Sequence, residues 1–285
     1  MMNQKSSERQ TFFKSDIKEV WLEKDIQVIH LAKRAWPLHH KTVSELLAAW
    51  GQDEAKLSKA LGFGGTLYEV KLSGGYTGVY IAFAAYEDVV VALRMQQRGQ
   101  NAGLVIQQLS EAWGEQAQIR DEEIHCEFWD PDGRARWHDA IAEALGACEV
   151  TVPTQHQPAY ALLMDPLTRY DYGSYCYFAG IPPEGRQAIT HLLNYQATSL
   201  IRAVLRSANP EARVYAVETL LSLEQQGISL SEADKAAIQK IVDLGIPISV
   251  CDGCFVSQST AKEIFSPPRH VPSTVEGRKA HEGKI

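Results

Sequence analysis

The chain has 285 residues, more than one ordinary domain of about 100 to 200 residues needs, so one large or two modest globular units are expected. Its 45% hydrophobic and 22% charged content matches globular averages and excludes a disordered, collagen-like or coiled-coil chain. Twenty-eight Lys and Arg against 35 Asp and Glu give a net charge of −7, which argues against a general nucleic-acid binder because displacing counterions needs a surplus of cations.

Residues 1–18 are polar and of mixed charge, without the apolar stretch of a secretory leader. The longest apolar runs, residues 79–86 and 89–93, are split by Glu87 and Asp88 and fall short of the roughly 20 apolar residues that span a bilayer. A soluble, cytoplasmic protein is the expectation.

Residues 16–34 place Ile17, Val20, Trp21, Ile26, Ile29 and Leu31 at mostly helical spacing, which predicts an amphipathic helix, with residues 23–25 as the place where it would break. Trp36-Pro37 ends it. Thr42 with Glu45 forms a capping box that opens a helix over residues 43–50, and Asp53 reads as the cap of a second short helix ending at Gly62. Gly62-Phe63-Gly64-Gly65 then supplies a helix C-cap and turn, since it follows a helix and precedes a strand, the reverse of a dinucleotide loop. From Thr66 the period changes to two, and turns at Gly74-Gly75 and Glu87-Asp88 predict a three-stranded antiparallel meander ending at Met95. A helix over residues 104–113, a strand over 123–129, a turn at Asp130-Pro131-Asp132-Gly133 and a helix through Trp137, Ile141 and Leu145 complete the first half.

Beyond Pro153 the sequence favours helices, at residues 159–164, 169–178, 183–193, 195–207, 210–226 and 232–244. Asn209-Pro210 starts one of these with proline at its first position, Gly227 stops it, and Ser229 with Glu232 reads as a further capping box. Residues 246–250 and 255–257 look like two strands joined by an Asp-Gly turn. Residues 266–285 hold three prolines and no apolar periodicity, so a disordered tail is expected; its Arg269, Arg278, Lys279 and Lys284 against Glu276 and Glu282 leave −9 on the body. The predicted fold is α+β: a small antiparallel sheet with helices over residues 1–150, an α-helical domain over 151–265, and the tail.

The run from Ser207 through Asn209-Pro210 to Leu221 resembles the first helix of a HEAT-like repeat, and residues 183–244 make one or two such hairpins, fewer than a solenoid needs. The chain is also similar to uncharacterised bacterial proteins that end in a helix pair followed by a Cys-x-x-Cys segment. These resemblances imply a helical array and no particular chemistry.

Five scattered cysteines, Cys126, Cys148, Cys176, Cys251 and Cys254, fit reduced thiols better than a disulfide framework. Cys251-Asp252-Gly253-Cys254 has three readings: a hairpin with buried thiols facing each other, a zinc knuckle needing His270, His281 or a distant Cys to complete it, or a redox pair. Glu123, His125 and Glu127 share one face of their strand, where they form a metal or acid-base set or simply a solvated face, while Ile124, Cys126 and Phe128 share the other. Tyr170, Tyr172, Tyr175, Tyr177 and Phe178, with Arg169 and Asp171, form the densest aromatic cluster, either a recognition surface or the rim of a helical core. No Gly-x-Ser-x-Gly elbow, Walker loop or His-Glu-x-x-His segment occurs, and no local signature surrounds a thiol. The leading expectation is a cytoplasmic bacterial protein-binding module, favoured as an immunity protein that neutralises a basic toxin domain, with no nucleic-acid or membrane partner. The alternatives are an enzyme using the Glu123/His125/Glu127 face or a thiol, and an adaptor with zinc at Cys251 and Cys254.

Overall fold

The computed structural model describes residues 19–34, 40–99, 117–120, 123–176 and 180–266. The expected helix over 104–113, Tyr177, Phe178, His270, His281 and all of the expected tail after residue 266 lie outside them. Helix α1, Glu19–Lys33, runs without a break through residues 23–25. The reason is Asp25, which is fully buried and whose Oδ1 accepts the backbone N–H groups of Gly75, Tyr76 and Thr77 at 2.7, 3.1 and 3.0 Å. An inward carboxylate with three donors needs no turn of its own to satisfy it. Helix α2, Val43–Ala49, starts at the Thr42 capping box, with Thr42 N–H donating to Glu45 Oε2 at 2.9 Å and Glu45 N–H to Thr42 Oγ1 at 3.3 Å.

The short helix expected after Asp53 is a strand instead. Strand β1, Leu57–Gly62, pairs antiparallel with β2, Gly65–Ser73, through a turn at Phe63-Gly64, so Gly62 caps no helix. Six residues with Ser58 and Lys59 among apolar neighbours carry too little helical period to resist a neighbouring strand edge. Strand β3, Thr77–Tyr86, follows, then β4, Val89–Gly99, across the Glu87-Asp88 turn, whose two residues both take positive φ. With β5, Ala117–Arg120, and β6, Glu123–Trp129, they make one six-stranded antiparallel sheet of order β1-β2-β3-β4-β6-β5.

The two sheet faces have different fates. Val70, Leu72, Val79, Ile81, Phe83, Leu93, Met95, Cys126 and Phe128 pack against Val28 and Ala32 of α1 and Leu46 and Trp50 at α2. Trp50 is fully buried, its ring 5.9 Å from Phe83. On the opposite face Leu67, Ala84 and Ala92 stand in one cross-strand row, and a bulge in β4 adds Val91 to it. That bulge receives helix α3, Pro131–Leu145: Asp130 N–H donates to Val91 O at 2.9 Å, and a Cβ on Gly133 would lie 2.6 Å from Val91 Cγ1. Asp130-Pro131-Asp132-Gly133 is therefore the cap and first turn of the helix rather than a separate turn.

Helices α4 (Gln157–Met164), α5 (Glu184–Asn194), α6 (Thr198–Val204), α7 (Pro210–Gln225) and α8 (Glu232–Asp243) follow, then the hairpin of β7 (Ile248–Asp252) and β8 (Phe255–Ser259) and a last turn, α9 (Ala261–Phe265). Helix α7 is the hub: eleven of its residues are buried, from Pro210 to Leu223, and α5, α6, α8 and β7 pack around it. One apolar core joins Leu61, Leu67, Ala84 and Trp137 to Leu192, Val204, Val217 and Ile241, so the segments before and after residue 150 share it. Helix α8 is capped by Ser231 with Asp234 rather than by Ser229 with Glu232. Both pairs have capping-box spacing, but Asp234 is also held by Arg202 at 3.2 Å, and Leu230 is buried just before the cap. Among the described residues no helix is long and apolar enough to cross a membrane.

Candidate functional site

Residues 169–176 form no helix, which corrects the helix expected there: single bridges at Tyr172 and Cys176 flank a bend at residues 173–175. Tyr172 N–H donates to Ser249 O at 2.7 Å and Cys251 N–H to Tyr172 O at 2.8 Å, so this segment runs parallel beside β7 through the bridges Tyr172 to Val250 and Cys176 to Gly253. Alternating tyrosines with Gly173 in their midst suit an extended chain better than a helix. Gly173 is required by proximity: a Cβ there would lie 2.4 Å from Cys251 O. Tyr215 of α7 fixes the segment from beneath, its hydroxyl donating to Asp171 O at 2.8 Å and accepting from Gly173 N–H at 3.0 Å. The Arg186 guanidinium lies 4.6 Å from the Tyr215 ring centre, bonds Gly173 O at 3.0 Å and pairs with Glu218 at 2.7 Å.

The expected aromatic cluster is therefore divided. Tyr170 is buried against Tyr215, with its hydroxyl unpartnered among the described residues, and Tyr172 is half-buried with its ring 4.9 Å from that of Tyr215. Burial pushes the Tyr170, Tyr172 and Tyr215 phenols well above their ordinary range. Arg169 points the other way and grips Glu69 of β2 with two bonds of 2.7 and 2.8 Å, while Asp171 accepts from Ser249 Oγ at 2.6 Å. Tyr175 alone of the described tyrosines in this cluster is strongly exposed, at 62%.

The cysteines are arranged differently from their spacing. In the β7–β8 hairpin Asp252 pairs with Phe255 and Cys251 with Val256, so Cys251 and Cys254 do not face each other. Cys251 is instead disulfide-bonded to Cys176, 75 residues earlier, with a Cα separation of 5.6 Å, which corrects the expectation of reduced thiols for this pair. The sequence could not show it, because only the parallel pairing of residues 172–176 with β7 brings the two together. Cys254 sits in the turn as an exposed free thiol. The Asp171 carboxylate lies within 4.8 Å of both bonded sulfurs. Cys126 is buried in the sheet core, which drives its thiol up to about 11 and suits it to packing rather than nucleophilic work.

Around the disulfide stands a group of exposed apolar side chains: Tyr175 at 62%, Ile181 at 58%, Phe255 at 80% and Val256 at 50%. They belong together through Cys176, whose N–H donates to Ile181 O at 3.0 Å and which bridges Gly253 at the hairpin turn. Sequence reasoning found Tyr175 and missed the other three. Phe255-Val256 directly after a two-residue turn was the available signal, since consecutive large apolar residues at a hairpin tip cannot both face one core.

A second feature lies on the part of the sheet that the helices leave open. Beyond the Leu67, Ala84, Ala92, Trp129 row come Glu69, Ala82, Arg94 and Glu127, then Lys71, Tyr80, Gln96 and, by backbone register, His125. A cleft of about 600 Å3 runs over this polar end, lined by Lys56, Glu69, Lys71, Arg94 and Arg169 among others. Glu127 accepts from Arg94 Nε at 2.7 Å, and Arg94 also bonds Asp165 at 2.7 Å. Burial works to lower the Arg94 guanidinium, but Asp165 and Glu127 carry it above its ordinary value. Glu127 thus helps tie the sheet to the loop after α4. Glu123 and His125 are placed on this face by register alone.

Compared with models of protein families, with curated proteins and with solved structures, the chain matches none.

Proposed function

We propose that this chain is a protein-binding module whose contact surface is the tip of the β7–β8 hairpin with the adjoining Tyr175 and Ile181. The observation that carries this reading is that four large apolar side chains, each at least half exposed, lie on neighbouring segments joined by a disulfide and backbone bridges. Such side chains on a rigid support bind with little ordering cost, and aromatic anchors of this kind supply most of the energy of an interface. β8 pairs only with β7 among the described strands, so its outer edge also offers main-chain groups to a partner. The partner favoured by the net charge of −7 is a basic protein, and within that class the reading is an immunity protein that occludes a toxin domain.

The test is co-expression with the toxin-like product of a neighbouring gene. Rescue of growth together with a co-purifying complex supports the reading, and Phe255→Asp or Tyr175→Asp removes both while leaving the fold intact. Unchanged rescue and binding by these variants overturns it. Rescue without a complex, lost instead in Arg94→Ala, favours a second reading, an enzyme working in the polar cleft lined by Glu69, Lys71 and Arg94, which the cleft's volume and charged lining support.

A further inference from the structure

We propose that Asp171, Cys176, Cys251 and Cys254 form a binding site for a thiophilic divalent cation, zinc above all, in the chain whose Cys176–Cys251 disulfide has been reduced. Three donor atoms already converge, the Asp171 carboxylate and the two sulfurs lying within 4.8 Å of one another. Zinc–thiolate bonds of about 2.3 Å put two sulfurs on one tetrahedral ion about 3.8 Å apart, so reduction followed by a small separation of the sulfurs produces the required spacing. The Cα separation of 5.6 Å suits either state.

The fourth donor comes from the hairpin by a rotation of its turn, because Cys254 is exposed and its thiol is not among the three converging atoms. Cys254 occupies the turn directly after Gly253, which takes a φ of +57° and forms the backbone bridge to Cys176. A Cys-x-x-Cys turn with a third cysteine from another segment has the sequence spacing of a thiolate knuckle, and the knuckle closes once Cys254 turns inward. An outer contact is also in place: Ser249 Oγ donates to Asp171 Oδ1 at 2.6 Å, the kind of bond that orients a ligating carboxylate. Cys176 and Cys251 are 1% and 3% exposed, so two of the ligating sulfurs are shielded from water. Gly173, pressed against Cys251 O, keeps the two segments close whether or not the sulfurs are bonded.

The redox balance is simple. A dithiol reductant passes two electrons and two protons to the Cys176–Cys251 bond, leaving two thiols and closing to its own disulfide. The cation then displaces one proton from each ligating thiol to solvent. A disulfide oxidant reverses this, taking two electrons from the two thiolates and two protons from solvent to become a dithiol as the Cys176–Cys251 bond re-forms and the ion departs. The two sulfurs serve as covalent clamp or as ligands, never both at once.

The experiment uses the full chain and Co2+ alone as the probe. Thiol titration in denaturant expects three thiols per chain before reduction and five after, given three free cysteines and five in total. After anaerobic reduction, about one equivalent of Co2+ is expected to bind with a sulfur-to-metal charge-transfer band and the visible bands of a tetrahedral site, and Zn2+ is expected to displace it. The unreduced chain binds none. Cys254→Ser leaves the disulfide intact and so folds as the parent does, but it weakens Co2+ binding by the reduced chain and reduces the charge-transfer intensity. Ser249→Ala weakens binding about 10- to 100-fold by releasing Asp171. Less than about 0.2 equivalents in the reduced chain, equal binding before and after reduction, or a band unchanged in Cys254→Ser overturns the proposal. None of these readouts involves a protein partner, so this site and the proposed function stand or fall separately.

Discussion

Gly173 shows how much a single position decides here. Its missing Cβ allows residues 171–176 to lie against β7, and that contact sets Asp171, Cys176 and Cys251 side by side. Gly173→Ala forces a backbone shift, because the obstruction 2.4 Å away is a carbonyl and not a flexible side chain. The expected loss is about 1–3 kcal/mol, read as a lower urea midpoint with unchanged slope. Tyrosines supply a second prediction. Tyr170, Tyr172 and Tyr215 keep their phenols protonated above the ordinary range because burial disfavours the phenolate. A raised folded-state pKa means stability that is fully present below the unfolded value, about pH 10, and lost as pH rises through the folded values. Alkaline titration followed by phenolate absorbance is therefore expected to ionise these three only as the chain unfolds. Ionisation of these three phenols before the unfolding transition would contradict it. Arg213 of α7 is a buried cation: burial lowers its guanidinium to about 10, and it donates to Ser207 O at 3.2 Å and to Leu61 O, tying the end of β1 to the hub helix.

At the scale of elements, the punctuation was legible where it is chemical. Thr42 with Glu45, Asn209-Pro210, and the turns after Ser73 and Tyr86 all act as their residue types require. Asn209 does more than cap: its Oδ1 accepts from Ala212 N–H at 3.2 Å, and its Nδ2 donates to Thr168 O at 2.9 Å, joining α7 to the loop that carries Arg169. Asn209→Ala is expected to cost about 2 kcal/mol, at the upper end for a cap, and Thr42→Ala about 1 kcal/mol, both measurable as midpoint shifts in urea. The failures have a common cause. β1 and residues 169–176 are short and locally ambiguous, and neither is helical because a neighbouring strand satisfies its backbone, β2 in the one case and β7 in the other. Local propensity of a few tenths of a kcal/mol per residue does not compete with that pairing.

For the whole molecule, one sheet carries α1 and α2 on one face and the helical array on part of the other, leaving a polar cleft and a protruding hairpin tip uncovered. The Cys176–Cys251 bond closes a loop of 75 residues that contains α5 to α8, so removing it with Cys176→Ser plus Cys251→Ser is expected to cost about 2–5 kcal/mol in chelator. Cys254→Ser is expected to leave the thermal midpoint of the unreduced chain unchanged. At the tip, Phe255→Ala is expected to weaken a partner by about 2 kcal/mol or more, roughly 30-fold in Kd, without moving the urea midpoint, because the ring is 80% exposed in the free chain.

The sequence by itself determined the α+β class, the meander, the strand over residues 123–129 and most helix starts, because caps, turns and the change from period 3.6 to period 2 are local chemistry. Only the tertiary structure decided that Cys251 bonds Cys176 rather than facing Cys254, that Tyr170 and Tyr172 lie inward while Tyr175 stands out, and that Glu127 belongs to Arg94. Each of these depends on which distant segment lies alongside, and long-range pairing is settled by the packing of the whole core, which no single stretch of chain encodes.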